Sequence, residues 1–528
     1  MRSSPFDVAR TLSVPTGYGI AVYARVGGAR FMAAAPNGDL LVSNPGSGNV
    51  YRVRPGTTGG DPTVTTWASG LYLPHDIVFH SVGGTMYVYV SETDKIGRYT
   101  WDPSSATGQN HQILVGRLPN VSDTALHGAY AHQLKNIALG PDDKLYVSIG
   151  SSCNVCTTDV SSNPVRGAIY VYNADGSGGR LFARGIRNGE GLAFVPGTNI
   201  LWAAVNNRDN IAYPYHKDFD GDGTDDYGKV MQAYVNNHPP DEFIHVTDGA
   251  NFGWPFCNPN PDSTVDNMPF DLDQQGNPTG AQLNCAAATR VNKGIQAHSA
   301  PLGLTFFAGT KAPAAVQNGV AIALHGSWNR TPPTGYKVVW FPWQSGTNTP
   351  GAQQDLVTGW LVNGSAWGRP VDVAVDSTGN VFISDDQSGT IYRLVPPAAP
   401  KSVSFVGKQS GLCLSAGAQT FGTHTTTATC NGAANEQFTI PASGTTGPIH
   451  ITSTLCLDAY GGHGNNGDVV GVWSCNGYAN QNWTVTDAGA IRGVNNACVL
   501  VAGQSTMPGA AVIMWACNGR PDQTWTVR

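Results

Sequence analysis

The stretch "GNVFISDDQSGTIYRL", residues 379–394, decides the fold. It holds a turn, an alternating apolar strand, a polar patch and a second strand. The same plan recurs at "GDLLVSNPGSGNVYRV" from Gly38, "GTMYVYVSETDKIGRY" from Gly84 and "DKLYVSIGSS" from Asp143. It recurs again at "NILWAAVNNRDNI" from Asn199 and "NGVAIALHGSWNR" from Asn318. Six such units at irregular intervals suggest radial sheets, an all-β propeller with long inserts. A propeller gathers its strand ends around a central channel. Polar patches far apart in sequence would meet there.

The composition agrees. The chain has 528 residues, so two or more domains are expected. Glycine (65) and proline (34) make up about a fifth of it, and charged residues only 12%. Short strands joined by turns use such a mixture; long helices do not. The net charge of −6, without a basic stripe, argues against a nucleic-acid partner. No apolar run reaches membrane-spanning length, and "MRSSPFDVAR" lacks the apolar core of a signal peptide. The ten cysteines favour a mature, secreted protein. Cys413/Cys430, Cys456/Cys475 and Cys498/Cys517 recur at near-equal gaps and read as three local disulfides. Cys257 and Cys285 flank a Pro/Asn-rich loop and could pair. "CNVC" (153–156) reads as a loop disulfide, because Thr157 stands where haem attachment needs histidine.

A tighter repeat fills the C-terminal part. Three copies about 43 residues apart each carry Cys, an apolar strand, a second Cys and a closing aromatic. The Q-x-W ending stands at Gln481–Trp483 and Gln523–Trp525; the first copy has Glu436-Gln437-Phe438. These copies resemble the ricin-B-type lectin family, a β-trefoil. The Pro/Ala stretch "LVPPAAPKSVSF" reads as the linker, which puts the domains at 1–397 and 398–528. The resemblance implies a sugar site made by an acid after the first Cys and an Asn before the Gln. Only the middle copy keeps both, as Asp458 and Asn480, with Trp473 to stack; Ser415 and Leu500 replace the acid elsewhere. A polysaccharide is the expected partner.

In the first domain, "HQLKN" (His132), "GIRNGEG" (Arg187, Asn188), "VNNRDN" (Asn206, Asn207, Arg208), "IQAHSAP" (His298), "HGSWNR" (Arg330) and "WGRPVD" (Arg369) follow one another. Their order and spacing resemble the glucose/sorbosone dehydrogenase family, the soluble pyrroloquinoline quinone (PQQ) sugar dehydrogenases. The resemblance covers about residues 15–397 and implies a six-bladed propeller. PQQ is a flat ortho-quinone with three carboxylates, and guanidiniums bind carboxylates through a planar fork. Arg30, Arg187, Arg330 and Arg369 are the expected cofactor ligands, joined by Asn188, Asn206 and His298. The resemblance makes His132 the base that takes the substrate's hydroxyl proton. It also implies a calcium ion held by the backbone carbonyls of Asn207 and Arg208. "KDFDGDGTDDYGK" separately offers Asp218, Asp220, Asp222 and Asp226 to a structural calcium, although Lys229 stands where the closing Glu of such a loop belongs. The expected activity is oxidation of a sugar, with electrons passed to an external acceptor such as a quinone, a cytochrome or an oxidase partner. Two alternatives are a propeller lactone hydrolase, for which Glu92 is the candidate acid, and a non-catalytic sugar-binding propeller.

Overall fold

The computed structural model describes residues 3–57, 60–310, 312, 316–395, 401–441 and 446–528. The expected linker cut at 397–400 lies outside the described residues. The chain divides into two compact units, Met1–Pro396 and Pro397–Arg528. The structure is almost entirely β; the one α-helix among the described residues is the four-residue Gln232–Val235.

Among the described residues, the first unit contains six antiparallel sheets of four or five strands. Each of the six repeats read from the sequence supplies the second strand of one sheet: Leu40–Asn44, Thr85–Ser91, Lys144–Ile149, Leu201–Asn206, Gly319–Leu324 and Val381–Asp385. Sheets packed face to face bury both sides of such a strand. This is why Gly319–Leu324 is apolar throughout and buried at every position. The first strands are Met32–Ala34, Ile77–Val82, Lys135–Leu139, Asn188–Phe194, Pro301–Phe306 and Pro370–Val375. Each touches the next in cyclic order, and the last touches the first. The sixth sheet is completed from the other end of the unit: Gly19–Arg25 pairs antiparallel with Thr390–Val395.

The first strands approach so closely that side chains have no room. A Cβ on Gly191 would stand 2.2 Å from the Leu302 carbonyl, and one on Gly303 2.0 Å from Asp372 Oδ1. Buried carboxylates bridge the same strands. Asp76 accepts from Ile137 N at 2.9 Å and Asp372 from Met32 N at 2.8 Å. Because consecutive strands are antiparallel, the end of each second strand and the start of each first strand lie at one end of a sheet. The polar patches collect there.

The second unit is built from the three tight repeats. Its core joins Phe405, Leu414, Phe438, Leu457, Val472, Trp483, Val499, Met514 and Trp525. The Q-x-W motif has a local cause. Trp483 Nε1 donates to the Leu457 carbonyl at 2.9 Å, and Trp525 Nε1 to the Val499 carbonyl at 3.0 Å. The glutamine two residues earlier caps the turn after the second cysteine: Gln481 Oε1 accepts from Asn476 N, and Gln523 Oε1 from Asn518 N. Glu436 does the same in the first copy, accepting from Asn431 N at 2.9 Å. All five disulfides read from the sequence are present.

Candidate active site

One cavity of 210 Å³ in the first unit is lined by His132, Arg187, Asn188, Asn206, Asn207, His298 and Arg369. These come from the heads of four different sheets, so the fold brings together side chains spread over more than 230 residues of sequence. His325 and Arg369 also belong to an adjoining concavity of 500 Å³, where Arg30 and Asp386 stand.

His132 enters just before its strand. Its Nδ1 lies 3.1 Å from the Ser151 carbonyl and 2.9 Å from Ser151 Oγ. A carbonyl only accepts, so Nδ1 carries the proton and Nε2 keeps its lone pair. Burial, then the charge of Arg187, lowers the imidazole's pKa to about 4. His132 is therefore neutral at ordinary pH, with the Nε2 lone pair unprotonated.

Arg187 is buried and fully oriented. Its Nη2 donates to Asp209 Oδ2 at 2.9 Å and to Asn154 Oδ1 at 3.0 Å. Asn154 also ties down the Asp209 backbone, accepting from Asp209 N at 2.9 Å and donating to Asp209 O at 2.9 Å. The Cys153–Cys156 disulfide closes the loop that carries Asn154, and Ser151 just before it holds His132. His298 has φ of 62°, a conformation that favours glycine. It is held by Nε2 donating to the Val235 carbonyl at 2.7 Å and by Asp209 at 3.5 Å. Burial works against its protonation, but Asp209 and Asp241 raise its pKa overall. Arg369 spans the carbonyls of His325 (2.9 Å) and Gly326 (3.0 Å). Arg30 pairs with Asp386 at 2.8 Å, and Asp386 also binds His325 Nε2 at 2.9 Å.

Two arginine side chains named from the sequence stand outside the cavity. Arg330 does not line the cavity: the chain turns at the left-handed Gly326 (φ 106°), Trp328 and Asn329 stay on the cavity wall, and Arg330 Nη1 donates to Asn237 at 3.2 Å. A Cβ at Gly326 would stand 2.4 Å from Tyr336, so that turn requires glycine. The Arg208 guanidinium also points elsewhere, into a buried ion pair with Asp273 and a 3.0 Å bond to Gln275. In the acidic insert, carboxylate oxygens of Asp218, Asp220 and Asp222 converge within 4.8 Å. Asp226 does not join them: it is buried, binds Lys229 at 2.8 Å and accepts from Phe219 N. Glu92 is buried against Lys95 at 2.8 Å and is not part of the cavity wall.

The cavity also contains Glu190, Asp209 and Asp241, to which the sequence gave no role, and His325, Trp328 and Asn329, the neighbours of Arg330 expected at the channel mouth. All of them but Asp241 stood inside quoted motifs, and only the fold shows what they face. Glu190 is held well down, to about 2. Its burial opposes this, but His75 at 3.1 Å and Asn188 at 2.8 Å outweigh it. Burial raises Asp241 to about 6.

In the second unit, a concavity of 450 Å³ is lined by Asp458, Tyr460, Trp473, Tyr478 and Asn480. Asp458 accepts both Asn480 Nδ2 (2.9 Å) and Gln481 Nε2 (2.9 Å). The two tyrosines were not foreseen.

These features define a class: an all-β domain of radiating sheets with an Arg- and His-lined cavity at the strand ends, followed by a three-repeat domain. Residues 12–396 match the family model described as TrAA12-like, and the chain belongs to that family. Residues 401–525 match the ricin-type beta-trefoil lectin domain. The pyrroloquinoline quinone-dependent pyranose dehydrogenase of Coprinopsis cinerea is 26% identical over 366 residues, which are 62% of this chain and 46% of that protein. The chain thus spans under half the length of that curated relative. The holo form of the pyranose dehydrogenase PQQ domain from Coprinopsis cinerea matches with a TM-score of 0.58 at 22% identity, over 73% of this chain and 97% of that one. The calcium structure of the Trichoderma reesei family AA12 enzyme matches with a TM-score of 0.58 at 19% identity, over 72% and 96% of the two chains. At these identities the structural likenesses establish a shared fold.

Proposed function

We propose that the chain is a secreted, PQQ- and calcium-dependent dehydrogenase that oxidises a sugar hydroxyl and passes electrons to an external acceptor. Its six sheets are then the blades of a six-bladed propeller, and its trefoil ties the enzyme to polysaccharide. The observation that carries the reading is one cavity uniting an oriented neutral His132 with the buried Arg187 and the half-buried Arg369.

The donor set suits PQQ. Arg187, Arg369 and Arg30 offer guanidiniums to its carboxylates, across two concavities that share His325 and Arg369. Asn329 Oδ1 is buried in the cavity wall without a partner among the described residues, so a polar ligand would satisfy it. Bound there, PQQ would supply the two-electron acceptor. The protein's own part is positional and acid–base. His132 Nε2 takes the hydroxyl proton while Ser151 holds the Nδ1 proton and fixes the ring. Asp209 and Asn154 keep Arg187 in place. The carbonyls of Asn207 and Arg208 would hold calcium beside the cofactor, as hard cations prefer oxygen. Asp218, Asp220 and Asp222 would hold a second, structural ion. Relatives with PQQ and calcium in their names support the quinone and a calcium ion.

A hydrolase would need carboxylates free to share one metal. Here Glu190 faces His75, Asp209 faces Arg187, and Asp241 accepts from Asn207 N and Ala300 N. Five disulfides support an extracellular setting, and among the described residues no helix is long and apolar enough to cross a membrane. The test is to reconstitute the purified protein with PQQ and calcium and screen sugars for dye reduction. Activity that requires both additions is expected; activity with a nicotinamide instead, or none with PQQ, would overturn the reading.

A further inference from the structure

The concavity of the middle trefoil repeat carries more aromatic surface than one sugar ring can cover. Asp458 and Asn480 form its polar floor, and Trp473 and Tyr460 stand edge to face at 5.5 Å. Gly471 is what admits Tyr460. A Cβ there would stand 2.6 Å from Tyr460 Cζ and 2.7 Å from the Thr423 carbonyl.

A third ring arrives from the first repeat. Its segment around Thr423 runs along the middle repeat's strand Val470–Ser474: Gly422 N donates to Val472 O at 3.0 Å, and Val472 N to Thr423 O at 2.8 Å. That pairing sets Phe421 against Trp473, with ring centroids 3.9 Å apart. Phe421 nevertheless remains 58% exposed and contributes nothing to the trefoil core. Tyr478, on the concavity wall, is 70% exposed. Tyr460 and Trp473 line the concavity, and Phe421 packs on Trp473 from outside its wall, so the three rings are contiguous. Exposed apolar rings joined to a polar pair mark a binding surface, and the C–H faces of pyranose rings stack on such rings.

We propose that this site binds an oligosaccharide chain of at least two pyranose units. One unit is held by Asp458 and Asn480 beside Trp473, and the next lies on Phe421. The proposal rests on the reading of the middle repeat as a sugar site. Phe421 is the chain-length determinant, supplied by a repeat that has itself lost the acid at Ser415.

The test is calorimetric titration of the full-length protein with xylose, xylobiose and xylohexaose, and with glucose, cellobiose and cellohexaose. For the series that binds, the parent gains affinity on going from one unit to two or more. Phe421→Ala loses about three- to tenfold of affinity for the longer chains, the scale of one aromatic stacking contact, and keeps its affinity for the single sugar. Phe421→Tyr restores the gain. Phe421 lies outside the core, so the alanine variant folds, and an unchanged melting temperature checks this. A parent without chain-length gain, or a Phe421→Ala variant that keeps it, overturns the proposal while single-sugar binding still upholds the site. Binding that survives Asp458→Asn unchanged, or no binding by any sugar of the panel, overturns the site itself and the proposal with it.

Discussion

Replacing Arg369 by alanine separates two arginines that the sequence treats alike. Arg369 lies in the wall shared by both concavities, anchored on the carbonyls of His325 and Gly326 at 2.9 and 3.0 Å. That anchoring leaves further N–H donors for a ligand carboxylate. A hydrogen bond to a charged partner is worth roughly 1.5–3 kcal/mol, so Arg369→Ala should weaken PQQ binding about ten- to hundredfold. Arg330 sits outside the cavity on Asn237, and Arg330→Ala should leave the affinity within about twofold, as expected for a part-exposed contact. The assay is titration of apoprotein with PQQ at fixed calcium, followed by tryptophan fluorescence, with thermal melts to confirm folding. Equal losses in the two variants, or parental affinity in Arg369→Ala, would refute the placement of the cofactor.

Three other outcomes follow from the same geometry. Because His132 is active only when neutral and burial lowers its pKa to about 4, activity is present above that pKa and lost as pH falls through it. The acid limb of kcat/KM should therefore lie below the ordinary histidine value of about 6.5; a limb at or above that value would contradict the burial argument. Asn154→Ala, or mild reduction of Cys153–Cys156, should loosen Arg187 and Asp209 and weaken PQQ binding by about tenfold. Parental affinity in both preparations would remove that loop from the site. Cleavage near 397–400 should give a propeller fragment that still oxidises soluble sugar, and a trefoil fragment that folds under oxidising conditions on its own core and three disulfides. Failure of the trefoil fragment to fold would show that the two units depend on each other.

What could be read from the sequence was periodic. The six turn–strand–patch units each became the second strand of one sheet, because a strand buried on both faces leaves an apolar run that stands out among turns. Antiparallel pairing then put the quoted patches at one end, which brought His132, Arg187, Asn188 and His298 onto one cavity. What could not be read was pairwise. Asp209 gains its meaning from Arg187 and His298, and Asn154 from both Arg187 and Asp209; no local spacing reports such contacts. The placement of Arg330 failed for a related reason. Trp328 and Asn329 still line the cavity, and Arg330, one residue further along the loop, turns to Asn237. In the trefoil, Asp458 and Asn480 were legible from the repeat, whereas Phe421 reaches Trp473 only through pairing between two repeats.

The central claim is that His132 serves as the base beside a bound quinone. It is tested most directly by a single-turnover measurement on His132→Ala loaded with PQQ and calcium. His132 contacts Ser151 and carries no cofactor charge, so the variant should bind PQQ with parental affinity. On mixing with excess sugar, the absorbance change of the bound cofactor should be at least about 10²-fold slower than in the parent. A parental rate in a fully loaded His132→Ala enzyme would contradict the account.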